Sequence, residues 1–174
     1  MLSKVQAGRE AGERVRPNEM LNPRKFSFGG TSAIVTSMGL IIGLGAAGAS
    51  AGTILSGLLI VGFADNITDS LSIHMYQEAE KLAERTAFKA TLSNFVVRVL
   101  VALSFMAIVL ALQSAYARIA ALIWGCLLLA AISYSLAKER GVSSFSEVAK
   151  HLGVAFLVIA ASRIIGSWIS RYIH

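Results

Sequence analysis

Five apolar runs, each close to the length that crosses a bilayer, leave this chain few ways to fold. They cover about residues 31–49, 53–74, 92–112, 116–137 and 152–169, and a helix needs about 20 apolar residues to span the hydrocarbon core. In lipid every backbone N–H and C=O must find its partner within the protein, and a helix satisfies its own. The pattern predicts an all-α membrane protein, a five-transmembrane-helix bundle in a lipid bilayer. The chain has 174 residues, 55% of them hydrophobic, and a mean hydropathy of +0.66; a soluble domain of that size has no use for so many long apolar runs.

The charges orient the bundle. The net charge is +6 and the pI about 9.8, yet this excess does not point to nucleic acid, because Lys and Arg collect in loops and at helix ends as membrane topology requires. Residues 1–28 carry Lys4, Arg9, Arg14, Arg16, Arg24 and Lys25, with Pro17, Pro23, Gly8 and Gly12 as helix breakers. They read as a polar, partly disordered cytoplasmic tail, followed by a membrane domain over 29–174. Segment 75–91 alternates charges with Leu82, Ala83 and Phe88 and predicts a short interfacial amphipathic helix. Basic residues recur at 138–150, whereas the turns at 50–52 and 113–115 hold none. The positive-inside rule then places the N-terminus in the cytoplasm and the C-terminus outside. Arg24 and Lys25, the apolar stretch after them and Ala49-Ser50-Ala51 loosely resemble a cleavable signal, but the polar tail and the length of the run argue against cleavage. Depending on the source, the membrane is a plasma membrane or that of a vacuole or another organelle. Cys126 is the only cysteine, which excludes an intramolecular disulfide and gives no sign of a thiolate metal site.

Asp65 and Asp69 sit inside the second run. A carboxylate at that depth costs about 2.5–3.5 kcal/mol on insertion scales and is rarely kept without a use. The i, i+4 spacing puts both on one helix face, with Ser72 and Tyr76 in the same arc, Thr68 at its edge and Met75 close by; His74 falls on the opposite side. Such oxygens suit a proton or a hard to borderline cation, to which Met75 would add a soft thioether. Ser32, Thr36 and Ser37 line up on the first span, where their hydroxyls either face the aspartates or glue helices together, and Gly39 and Gly43 form a small-xxx-small pair for close helix contact. The aspartates have structural alternatives: an ion pair with Arg98 or Arg163, or hydrogen bonds with Asn66 or hydroxyls on the first span. Arg98 is expected to snorkel to the cytoplasmic surface; Arg163 is either a counter-charge or an outward snorkeller. Glu78, Glu80 and Glu84 either gather cations at the cytoplasmic mouth or form a solvated face balanced by Lys81 and Arg85. No paired-His, nucleophile or phosphate-loop motif supports an enzyme, and His74, His151 and His174 are scattered.

Several short stretches together resemble the vacuolar iron transporter family over about residues 26–170. They are Thr31-Ser32-Ala33-Ile34-Val35-Thr36-Ser37 with Gly39-Leu40-Ile41-Ile42-Gly43, then Asp69-Ser70-Leu71-Ser72-Ile73, Gln77-Glu78-Ala79-Glu80 and Ser162-Arg163-Ile164-Ile165-Gly166. The resemblance implies a homodimer with the metal path at the subunit interface, exporting Fe²⁺ or Mn²⁺ from the cytoplasm in exchange for protons. No cofactor would be permanently bound; the divalent metal is cargo. Carried over by position, the family's span-two Glu falls on Asp69, its span-two Met on Asp65 and its span-one Asp on Ser32. The site would be harder than the family's, favouring Mn²⁺ or Mg²⁺ or proton coupling alone. Segment 75–91 is too short for the long Glu-rich metal-gathering domain of many relatives. The expectation is a proton-coupled divalent-metal transporter with Asp65 and Asp69 as metal and proton ligands, Ser32, Thr36 and Met75 as secondary ligands or pore lining, and Arg163 tuning the acids. The alternative is a non-transporting membrane subunit whose Asp pair and Gly-rich face hold a partner span.

Overall fold

The computed structural model describes residues 23–79, 84–112 and 114–173. They form five helices: α1 (Pro23–Ala46), α2 (Ala51–Ala79), α3 (Glu84–Ala111), α4 (Ser114–Arg140) and α5 (Ser144–Tyr172). All five are long and apolar enough to cross a membrane. The short connections make successive helices antiparallel, so the bundle has a proximal end, where α1 begins, and a distal end, where α1 gives way to α2.

α1 is the central post. It packs against each of the other four helices, while α2 leans mainly on α3 and α5 on α1 and α4. Small residues give α1 this place. The Met38 side chain fills the hollow at Gly125 of α4, and Gly30 lets Ile132 and Val97 approach. On the α5 side Gly39 and Gly43 lie against Ser162, and a Cβ on Gly166 would land on the Gly43 carbonyl oxygen. These two backbones touch, as small residues allow where lipid gives no hydrophobic drive to helix association. The Gly39/Gly43 face is thus filled by a helix of the same chain. Ile34, Met38, Ile41, Phe105 and Leu129 form the buried core, whereas Leu59, Phe63, Leu110, Ile119 and Leu157 point outward, a distribution that suits a bundle surrounded by lipid.

The turns carry clear local chemistry. α1 ends with Gly48 at φ +82°, and the Ala49 N–H reaches back to the Leu44 carbonyl at 3.0 Å, the left-handed helix stop that favours glycine. Arg118 donates to the Gly45 carbonyl at 2.9 Å, satisfying another free carbonyl of that last turn. Ser50 then caps α2: its hydroxyl accepts from the Thr53 N–H at 3.2 Å. Ser50→Ala is expected to lower stability by about 1 kcal/mol, readable as a lower unfolding temperature in detergent micelles.

Two expectations about segment boundaries change. Segment 75–91 is not a separate helix among the described residues: Met75–Ala79 continue α2 and residues 84–91 open α3. Nothing between His74 and Ala79 breaks a helix, so the helix runs on after its apolar stretch ends. α5 begins at Ser144, two turns before the apolar run at 152, because Glu147 and Lys150 are helix formers as well as polar. Hydropathy locates the lipid-facing part of a helix, not its ends. Of the polar tail, residues 1–22 lie outside the described residues, and Pro23 opens α1 at the first helical position, where its missing N–H costs nothing.

Candidate functional site

The two aspartates project from the side of α2 that packs on α3 and α1. Gly62 lets Ala102 of α3 come close, and the Asn66 side-chain amide donates to the Phe95 carbonyl at 3.1 Å. This contact sets the register that brings Arg98 of α3 to Asp69, with which it forms an ion pair. Arg98 is only 5% exposed and Asp69 33%. Arg98 therefore does not snorkel to the surface. The carboxylate on the facing helix offsets the loss of water around the guanidinium, so inward is the cheaper direction.

Asp65, one turn nearer the middle of the span, faces a small cleft between α1, α2 and α3. Its polar lining is Asp65, Thr36, Ser37 and Arg98, and Leu40 and Leu58 are among its apolar walls. The space is about 20 Å³, enough for a water molecule or a bare ion. Among the described residues, no ion pair or hydrogen bond reaches Asp65, nor the hydroxyls of Thr36 and Ser37. By contrast Thr68 and Ser72 donate back to carbonyls of their own helix, each at 2.9 Å. Ser37 is 6% exposed, and its hydroxyl is unengaged among the described residues.

The seam between α2 and α3 differs along its length. Toward the proximal end α2 holds two buried polar atoms with no partner among the described residues, Asn66 Oδ1 and Ser70 Oγ, and both amide atoms of Asn94 on α3 are likewise unpartnered against Gly29 of α1. Buried polar groups are nearly always satisfied, by water where protein does not serve. Toward the distal end the seam is closed by Ile54, Leu58, Phe105 and Val109.

Of the residues expected at the site, the structure brings Asp65 and Thr36 together in the cleft, with Asp69 adjoining through Arg98. Ser32 is half-buried one turn from Thr36 and does not line the cleft. Met75 is exposed, and its ten-residue separation from Asp65 is about 15 Å along the axis. Glu78 lies in the last turn of α2, about 20 Å from Asp65, and Glu84 opens α3; Glu80 lies outside the described residues. Arg163 is exposed on α5, which packs on α1 and α4, and pairs with neither aspartate. Among the described residues no three His, Cys, Asp or Glu side chains gather into a metal-holding group. Sequence reasoning took Asn66 only as a hydrogen-bond partner for the aspartates, whereas its amide donates to the Phe95 carbonyl, and it passed over Asn94, whose polarity within an apolar run was the available signal. It also missed His151, whose Nδ1 lies 2.8 Å from Ser133 Oγ across α4 and α5. The Ser133 hydroxyl already donates to the Leu129 carbonyl at 2.6 Å, which makes the imidazole the donor and the pair a helix clasp.

Compared with protein-family models, curated proteins and solved structures, the chain matches none of them.

Proposed function

We propose that this protein is a proton-coupled cation transporter in which Asp65 takes up and releases the cargo. In the full form that the resemblance implies, a homodimer exports Fe²⁺ or Mn²⁺ from the cytoplasm against protons. The observation that carries the reading is Asp65 itself: a carboxylate midway along a membrane-length helix that, among the described residues, has no partner and faces a cleft lined by Thr36 and Ser37, whose hydroxyls are likewise unengaged. Ionisable residues at such depth that face the bundle interior commonly mark ion or proton pathways. The polar proximal seam and apolar distal seam support access from the proximal side, which is cytoplasmic if the charge bias sets the topology. A partner-holding subunit has less to recommend it, because α5 occupies the Gly39/Gly43 face and Arg98 occupies Asp69.

The test is flux into liposomes under an imposed pH gradient, with Fe²⁺, Mn²⁺, Co²⁺, Zn²⁺, Mg²⁺ and Na⁺ each supplied in turn. The expected result is cation flux with proton counterflow, reduced at least tenfold in Asp65→Asn. Absence of flux of every ion from stably folded protein would sink the transporter reading.

A further inference from the structure

Counting charge around the cleft gives a result that the resemblance does not. From Gly29 to Ala46, α1 carries no ionisable side chain; from Thr91 to Ala111, α3 carries only Arg98; from Ala51 to Ile73, α2 carries only Asp65 and Asp69. Arg98 is spent on Asp69. One negative charge per chain is left, and it sits on Asp65.

Resting on the reading of Asp65 as a cation site, we infer that the cleft of one chain takes a single positive charge, a proton or a bare monovalent cation of the sodium type. Arg98 sets this valence by cancelling the charge of Asp69 in their ion pair. Three observations agree. A monovalent charge brings the cleft to neutrality, whereas a divalent ion leaves an uncompensated charge in a poorly solvated place, which is unfavourable. The protein donors are one carboxylate and the hydroxyls of Thr36 and Ser37, while Ca²⁺ takes about 6–8 oxygens and Mg²⁺ sheds its water reluctantly. Ser37, a residue 6% exposed, supplies the independent mark of a ligand position: it lines the cleft, and among the described residues its hydroxyl has no hydrogen-bond partner. A divalent ion would need a second copy of Asp65.

The experiment is ion binding to the purified full chain in micelles. Bound Na⁺, Mn²⁺ and Mg²⁺ are counted by equilibrium dialysis, and a protonated carboxyl is read by infrared spectroscopy. Four proteins are compared: wild type, Asp65→Asn, Arg98→Gln and the double variant Asp69→Asn with Arg98→Gln. Wild type is expected to show either one Na⁺ per chain or one protonated carboxyl that Na⁺ does not displace; the first identifies the sodium-type ion and the second the proton. Asp65→Asn loses the signal, and Mn²⁺ or Mg²⁺ binds to wild type at no more than one ion per two chains. Arg98→Gln frees a second carboxylate and gains Mn²⁺ affinity at least tenfold. The double variant keeps the net charge, avoids an unpaired Asp69 if the single variant fails to fold, and behaves like wild type. One Mn²⁺ or Mg²⁺ bound per wild-type chain, a valence altered in the double variant, or no bound charge at all in wild type overturns the inference. A chain that binds one charge yet moves no ion in liposomes overturns the transport reading and leaves the valence standing.

Discussion

Arg98→Ala is expected to destabilise the protein by about 3 kcal/mol, the lower end of the range for removing one partner of a buried ion pair. The lower end applies because Asp69 is 33% exposed and water relieves part of its loss, whereas Arg98 at 5% is almost fully enclosed. The substitution also empties volume between α1 and α3, since the arginine stem packs near Gly29 of α1. Thermal unfolding in micelles reads the effect. Asp69→Asn with Arg98→Gln should recover most of the loss, because neither side chain is then an unpaired charge. Equal stability of Arg98→Ala and wild type would mean that the pair does not hold α2 to α3.

Gly166→Val is expected to cost about 3 kcal/mol, the upper end of what overpacking usually costs. The first added carbon meets a backbone carbonyl of α1, not the yielding tip of a side chain. α5 must therefore move away from α1 as a whole, taking Ser162 from its seat on Gly39 and Gly43. Gly153→Val on the same helix is the control: no atom lies within 4 Å of an added Cβ there, and its effect should stay near zero. Comparable losses at both positions, measured by the same unfolding assay, would contradict the backbone contact between α1 and α5.

The architecture was legible because all five helices are apolar over a length that crosses a bilayer core. Each apolar run had to be a helix, and Gly39 and Gly43 announced a close contact, although nothing in their spacing named α5 as the neighbour. That choice depends on Ser162 and Gly166, which look ordinary until the helices are placed. The aspartates were legible too, as acids in an apolar run. Their unlike fates were not. Asp65 and Asp69 have the same spacing signal and the same chemistry, and only the register of α3 gives Arg98 to one of them. Arg98 lies about two turns into its span, from which a long side chain can reach either water or a carboxylate, and sequence alone does not choose. Met75 was drawn toward the site by its angle on a helical wheel, which ignores the rise of about 15 Å that separates it from Asp65.

The central claim is that Asp65 is free to receive a cation while Asp69 is not. Its most direct test is chemical: reaction of the folded protein with a hydrophobic carbodiimide, located by mass spectrometry, with and without cations. The expected label falls on Asp65, is slowed by the cation that binds, and leaves Asp69 largely unmodified in its ion pair with Arg98. Equal labelling of both aspartates, or labelling of Asp65 that neither cations nor pH alter, would contradict the account.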